Sequence, residues 1–127
     1  MAIDDLRKNN TMAHILEALD EGKDIGHYGR LTFAMVAQYF ADEDEIVAQL
    51  RKDKDFSEEE ARSLYQQVSS KEYSPPSRDS ILEWQSQQDF QMITDPDDPD
   101  AGNVYQDLTF PQDVYESISS YNEKKSN

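Results

Sequence analysis

The segment from Leu31 to Phe40 constrains the fold most, because its apolar side chains cover more than one face of a helix. A helix that is apolar nearly all round is buried inside a protein. A buried strand is the competing interpretation, but the length of the segment and its Ala and Met content favour a helix. We therefore predict a central helix over residues 27–40, with the other segments packed around it.

Amphipathic patterns beside this segment predict further helices. An i, i+3, i+4, i+7 stripe predicts a helix over residues 11–21, with Thr11 as its cap and Gly22 at its end. That stripe consists of Met12, Ile15, Leu16 and Leu19. Later helix starts are predicted from capping residues, namely Asp42 with Glu45, Ser57 with Glu60, and either Ser74 or Ser77. The acidic runs beside these caps are better explained by the helix dipole than by metal binding.

The remaining chain is organised by its turns and its polar end. Residues 89–110 are predicted to be an irregular acidic arm whose apolar groups pack across the helices. A last short helix is predicted from Pro111, and residues 122–127 are expected to be a disordered tail. The fold class is therefore all-α, a compact bundle of about five to six short helices. We assign residues 1–121 to one helical domain.

The charge of the chain is strongly asymmetric. The 127 residues contain 27 Asp or Glu and 12 Lys or Arg, a net charge of −15. Between Asp79 and Glu123 there are 11 acidic residues and no Lys or Arg. Such a surface repels nucleic-acid phosphates and anionic membranes, so direct binding to either is not expected. It attracts a protein with a basic patch, whereas the oligomeric state stays open.

The sequence offers little catalytic or metal-binding chemistry. The chain has no cysteine, and we find no nucleophile, phosphate-loop or dinucleotide motif. The Asp-rich turn from Asp95 to Asn103 could supply calcium ligands, but its glycine and its twelfth position, Gln106, depart from the EF-hand spacing. His14 with Glu17 is a weak metal pattern, and we interpret His14 as a boundary residue bonded to Glu17 or water. We expect no enzymatic activity, no metal and no cofactor.

The acidic, aromatic C-terminal third is therefore the predicted functional surface. Trp and Tyr often anchor protein interfaces. Trp84 and Phe110 are expected in the core, while Tyr115 and Tyr121 could belong to the core or to an interface. We predict these partner-binding residues: Asp95, Asp97, Asp98, Asp100, Tyr105, Tyr115 and Tyr121.

Two functions fit this surface. The first is a non-enzymatic protein that binds another protein as an adaptor, accessory subunit or regulator. The alternative is a nucleic-acid mimic, an inhibitor whose carboxylates imitate phosphates and occupy the basic cleft of a DNA- or RNA-binding protein. The start of the chain lacks a secretory signal pattern, so a cytoplasmic location is expected.

Overall fold

The computed structural model describes residues 2–71, 74–98 and 101–115. Within these ranges the chain is helical and contains no strand, which confirms the prediction of an all-α bundle. Five of the described helices have seven residues or more. The helices are α1 (Ala2–Asp5), α2 (Asn10–Asp20), α3 (Gly26–Ala37), α4 (Glu43–Leu50), α5 (Glu58–Ser70), α6 (Arg78–Gln85) and α7 (Val104–Asp107), with a 3-10 turn at Leu6–Lys8 between α1 and α2.

Helix α3 is the central helix, as its apolar pattern predicts. It packs against α2, α4, α5 and α6, and Phe33, Ala34 and Val36 are fully buried. The helix ends at Ala37, three residues before the predicted end. Tight turns follow, because the Phe40 amide donates to the Ala37 carbonyl oxygen at 2.9 Å. These turns bring the chain round to α4.

Local capping residues determine where three helices begin. The Asp42 carboxylate accepts from the Glu45 amide at 2.9 Å. Ser57 Oγ accepts from the Glu60 amide at 3.1 Å, while a Glu60 carboxylate oxygen accepts from the Ser57 amide at 3.2 Å. The side chain of Ser77 caps α6. The predicted caps at these three positions are confirmed, with Ser77 chosen over Ser74.

The predicted cap of α2 is wrong. Asn9, rather than Thr11, accepts from the Met12 amide through Oδ1 at 3.0 Å. The side-chain nitrogen of Asn9, Nδ2, also donates to the Asn103 carbonyl at 3.3 Å and to the Asp107 carboxylate at 3.1 Å. Asn9 therefore joins the start of α2 to a segment that is distant in the chain, and α2 begins at Asn10.

The arm at residues 89–110 packs on the helices and is not irregular throughout. Met92 and Ile93 are buried, and the Gln85 side chain both donates to the Ile93 carbonyl and accepts from its amide. Helix α7 lies inside the stretch that was predicted to be irregular. A further helical turn begins at Gln112, one residue after the predicted start, and its described part ends at Tyr115. The predicted tail at 122–127 lies outside the described residues.

A buried ion pair fixes the start of α3 to the end of α4. Arg30 Nη2 lies 2.6 Å from a carboxylate oxygen of Asp53, which is 2% exposed, and 3.0 Å from Asp24. The Arg30 guanidinium also lies over the Phe56 ring, 4.5 Å from its centroid. Arg30 is therefore paired with two acidic residues of the same fold. Of the helices in the described ranges, none is long and apolar enough to cross a membrane.

Candidate functional site: the aspartate loop and its cavity

We use the term aspartate loop for residues 95–98, which form a tight turn after the buried Ile93. The Asp98 amide donates to the Asp95 carbonyl at 3.2 Å. Arg78, at the start of α6, donates from Nη2 to the carbonyl oxygens of Pro96 at 2.7 Å and Asp98 at 3.2 Å. The loop is thus held to α6 through its backbone. These contacts leave the side chains of Asp95 and Asp97 exposed.

A cavity of about 340 Å³ lies between the aspartate loop and the start of α2. Among the described residues, three carboxylates line it and no Lys or Arg does. The backbone approaches closely beside it, because Gly102 adopts a φ of +84° and a Cβ there would lie 2.3 Å from Ile93 Cδ1. The lining residues are Asn9, Asn10, Thr11, Met92, Thr94, Asp95, Asp98, Ala101, Gly102 and Asp107.

The salt bridges that join two described residues lie between Asp4 and Arg62. In that part of the chain, each cluster of acids has a nearby base. Asp20, for example, is held by Lys52, Gln49 and Arg7, whose contacts lower the pKa of its carboxyl to about 2. Later acids differ, because seven of them form no salt bridge among the described residues. These are Asp79, Glu83, Asp89, Asp95, Asp97, Asp107 and Asp113.

The predicted contact residues Tyr105 and Tyr115 are both part of an aromatic cluster around the buried Phe110. Their ring centroids lie 5.3 Å and 6.5 Å from that of Phe110. The Tyr105 hydroxyl donates to the Pro75 carbonyl, and burial raises the pKa of Tyr105. The Tyr115 hydroxyl accepts from the Phe110 amide at 3.0 Å. Both side chains are half-buried and fasten the last described segment to the bundle.

The structure thus brings together only part of the predicted contact set. Asp95 and Asp98 line the cavity, whereas Asp97 lies on the same turn without lining it. Tyr105 and Tyr115 pack in the aromatic cluster. Asp100 and Tyr121 lie outside the described residues.

The candidate metal ligands do not converge within the ranges that the structure describes, where no group of three or more His, Asp or Glu could hold a metal ion. His14 Nε2 donates to the Gln91 carbonyl at 3.1 Å, whereas Glu17 or water was the predicted partner. The imidazole also stacks on Phe90, with ring centroids 5.1 Å apart. His14 therefore helps to hold the arm against α2.

A second aromatic group was not predicted from the sequence. Tyr28, in the first turn of α3, stacks on Trp84 of α6 with centroids 5.6 Å apart and planes 12° from parallel. His27 meets Tyr28 edge-on at 5.4 Å. Trp84 is only partly buried, although it was expected in the core. The sequence does contain one sign of this group, because the adjacent aromatic residues His27 and Tyr28 lie between two glycines at the start of α3.

No family model, curated protein or solved structure matches this chain. Its class therefore follows from its own fold and charge. It is a small all-α protein in which the salt bridges between described residues lie in the first half, and in which residues 79–123 are acidic and contain no Lys or Arg.

Proposed function

We propose that this chain is a non-enzymatic protein that binds a basic protein partner, acting in the cytoplasm as an adaptor, accessory subunit or regulator. The aspartate loop and its cavity are the proposed contact surface. The carrying observation is that the described lining of this cavity includes three carboxylates and no Lys or Arg, and that residues 79–123 contain no Lys or Arg. A Lys or Arg side chain of a partner would bring positive charge to Asp95, which forms no salt bridge among the described residues.

Several features of the loop suit this role. Its backbone is held by Arg78 and by the buried Ile93, so the carboxylates are presented on an anchored turn. A cavity of about 340 Å³ is large enough to admit one long side chain. Charged groups at an interface steer association and increase its rate more than its final affinity. We therefore expect fast binding that weakens as salt is added.

The predicted tyrosines have a different part in this proposal. Tyr105 and Tyr115 maintain the position of the acidic segment through their hydroxyl contacts with backbone groups. Their ring edges can still add apolar area to an interface, since both are partly exposed. The contributions of Asp100 and Tyr121 remain predictions from the sequence.

Affinity capture with charge variants tests the proposal. The combined variant Asp95→Asn, Asp97→Asn and Asp98→Asn removes three charges while keeping side-chain size. A matched control, Asp5→Asn with Asp55→Asn and Glu17→Gln, removes the same charge from exposed positions that belong to neither the aspartate loop nor its cavity.

Each tagged protein is incubated with lysate of the source organism at low and at high salt, and bound proteins are quantified by mass spectrometry. We expect a basic partner to be retained by the wild type and the control and lost by the loop variant. Retention of the same partners by the loop variant, with unchanged salt dependence, would exclude the aspartate loop as the contact surface.

The nucleic-acid mimic makes a different prediction in the same assay. If the captured partner binds DNA or RNA, the wild-type protein should displace a labelled oligonucleotide from it, and the loop variant should do so less well. If the partner holds its nucleic acid and this protein at the same time, mimicry is excluded and an adaptor or subunit role is favoured.

A further inference from the structure

A second groove lies on the bundle between α3 and α5, with a volume of about 370 Å³. It shares no lining residue with the cavity at the aspartate loop. Leu64 and Phe56 form the apolar floor of the groove, and Glu59, Gln67 and His27 are among its polar groups. The groove therefore combines an apolar floor with a polar edge, as grooves that bind peptide segments do.

An aromatic strip continues from this groove through His27. The exposed His27 ring contacts Tyr28, and Tyr28 in turn stacks on Trp84. The backbone under the strip is held by Gln88, whose Oε1 accepts from the Tyr28 amide at 3.0 Å and whose Nε2 donates to the Ile25 carbonyl at 3.0 Å. We call the groove and these rings the α3–α5 surface. Its rings are held in place and partly exposed.

The charge of the α3–α5 surface is negative although it includes Arg30. That guanidinium is 16% exposed and is bonded to two carboxylates, those of Asp24 and Asp53. Glu59 and Glu60 line the groove and are exposed, and neither forms a salt bridge among the described residues. The surface thus has an excess of negative charge beside stacked aromatic rings. A guanidinium or ammonium group is attracted to both.

We propose that the α3–α5 surface binds a cationic amphipathic segment of a partner protein. Apolar side chains of that segment cover Leu64 and Phe56. An Arg of the segment lies against the exposed part of the stacked Tyr28 and Trp84 rings, and a second Arg or Lys faces Glu59. This inference goes beyond the function proposed for the aspartate loop and does not depend on it, because the two surfaces have no residue in common.

Trp84 is the single tryptophan of the chain, so its fluorescence reports directly on this surface. The probe is a synthetic peptide of about twelve residues, with Leu at helical i, i+4 positions and Arg elsewhere. One control peptide replaces each Arg with Glu, and another replaces each Leu with Ser. Each is titrated into the full-length protein at about 0.15 M salt, where long-range attraction is screened.

Three variants assign the binding to its surface. Glu59→Lys reverses one exposed charge and should weaken the Arg–Leu peptide about tenfold. Tyr28→Leu removes one ring and should weaken it about two- to fivefold. The loop variant Asp95→Asn, Asp97→Asn and Asp98→Asn should bind within about twofold of the wild type. Circular dichroism checks each fold, and Glu59→Lys carries the test if Tyr28→Leu does not fold.

The proposal is supported by saturable quenching or a spectral shift that follows this order of affinities. It is overturned if the Arg–Leu peptide gives no saturable change, or if the Ser-containing peptide binds equally well. It is also overturned if the loop variant loses as much affinity as Glu59→Lys, since the peptide would then be sensing only total charge. Binding that is lost in the loop variant alone would instead support the aspartate loop as the contact surface.

Discussion

Removal of the Asp53 carboxylate should destabilise the fold more than the loss of other ion pairs in the described residues. Asp53 is 2% exposed and accepts from Arg30 Nη2 at 2.6 Å, and its other oxygen accepts from the Asp55 amide at 3.0 Å. In the variant Asp53→Ala, Arg30 keeps only Asp24, whose side chain is 63% exposed, and the ring of Phe56. A largely buried guanidinium then lacks its buried counter-charge.

The size of the effect follows from this geometry. Breaking a buried ion pair by removing one partner costs about 3–5 kcal/mol. Because Arg30 retains Asp24 and Phe56, we expect the lower end, about 3 kcal/mol. For a chain of this length each kcal/mol lowers the Tm by about 3–5 °C, so the variant should melt about 9–15 °C below the wild type.

Urea unfolding followed by Trp84 fluorescence and by circular dichroism measures the change. Arg51→Ala is the matched control, since Arg51 and Glu58 are both 53% exposed and their pair should contribute less than about 1 kcal/mol. The double variant Arg30→Met with Asp53→Leu should recover most of the loss, because an apolar pair has no charge to desolvate. A cost for Asp53→Ala no larger than that of Arg51→Ala would refute this account of the buried pair.

Three further predictions concern pH, backbone conformation and salt. Hydrogen bonding by Lys52 lowers the folded-state pKa of Asp20 to about 2 from its ordinary value of 3.8, so its contribution to stability is present above pH 4 and is lost as the pH falls towards 2. Asp20→Asn should flatten acid unfolding over that window by less than about 1 kcal/mol, since the side chain is 37% exposed. Gly102→Ala should cost about 2–4 kcal/mol in urea unfolding, because a Cβ would meet Ile93 Cδ1 at 2.3 Å. Gly22→Ala, with a similar φ of +73° and its nearest contact at 3.4 Å, should cost only about 1–2 kcal/mol. Added NaCl at about 0.3 M should raise the Tm by screening the net charge of −15, and a lower Tm in salt would mean that the ion pairs outweigh the repulsion.

Features that depend on near neighbours in the chain were predictable. The caps at Asp42, Ser57 and Ser77 satisfy amides only three residues ahead, so a few letters of sequence contain the whole interaction. The central helix follows in the same way from its apolar content. Burial of that helix requires only that something cover it, not any particular neighbour.

Features that depend on distant contacts were missed for a physical reason. Asn9 and Thr11 can both cap a helix, and the choice of Asn9 rests on its bonds to Asn103 and Asp107. Helix α7 is a single turn, too short for periodicity to indicate. The stacked pair of Tyr28 and Trp84 joins two segments whose separate patterns contain no sign of each other.

The candidate site likewise has one part that the sequence predicts and another part that depends on distant contacts. The absence of bases from Asp79 to Glu123 is visible in the sequence, but the cavity exists only because α2 and the arm meet around Asn9. Several contacts that hold the arm use its backbone: Gln85 binds Ile93, and Arg78 donates to carbonyl oxygens. The last base before the acidic third is therefore directed at the backbone of the loop, and Asp95 and Asp97 keep their charge exposed. Their exposed charge is what the proposed basic partner would meet.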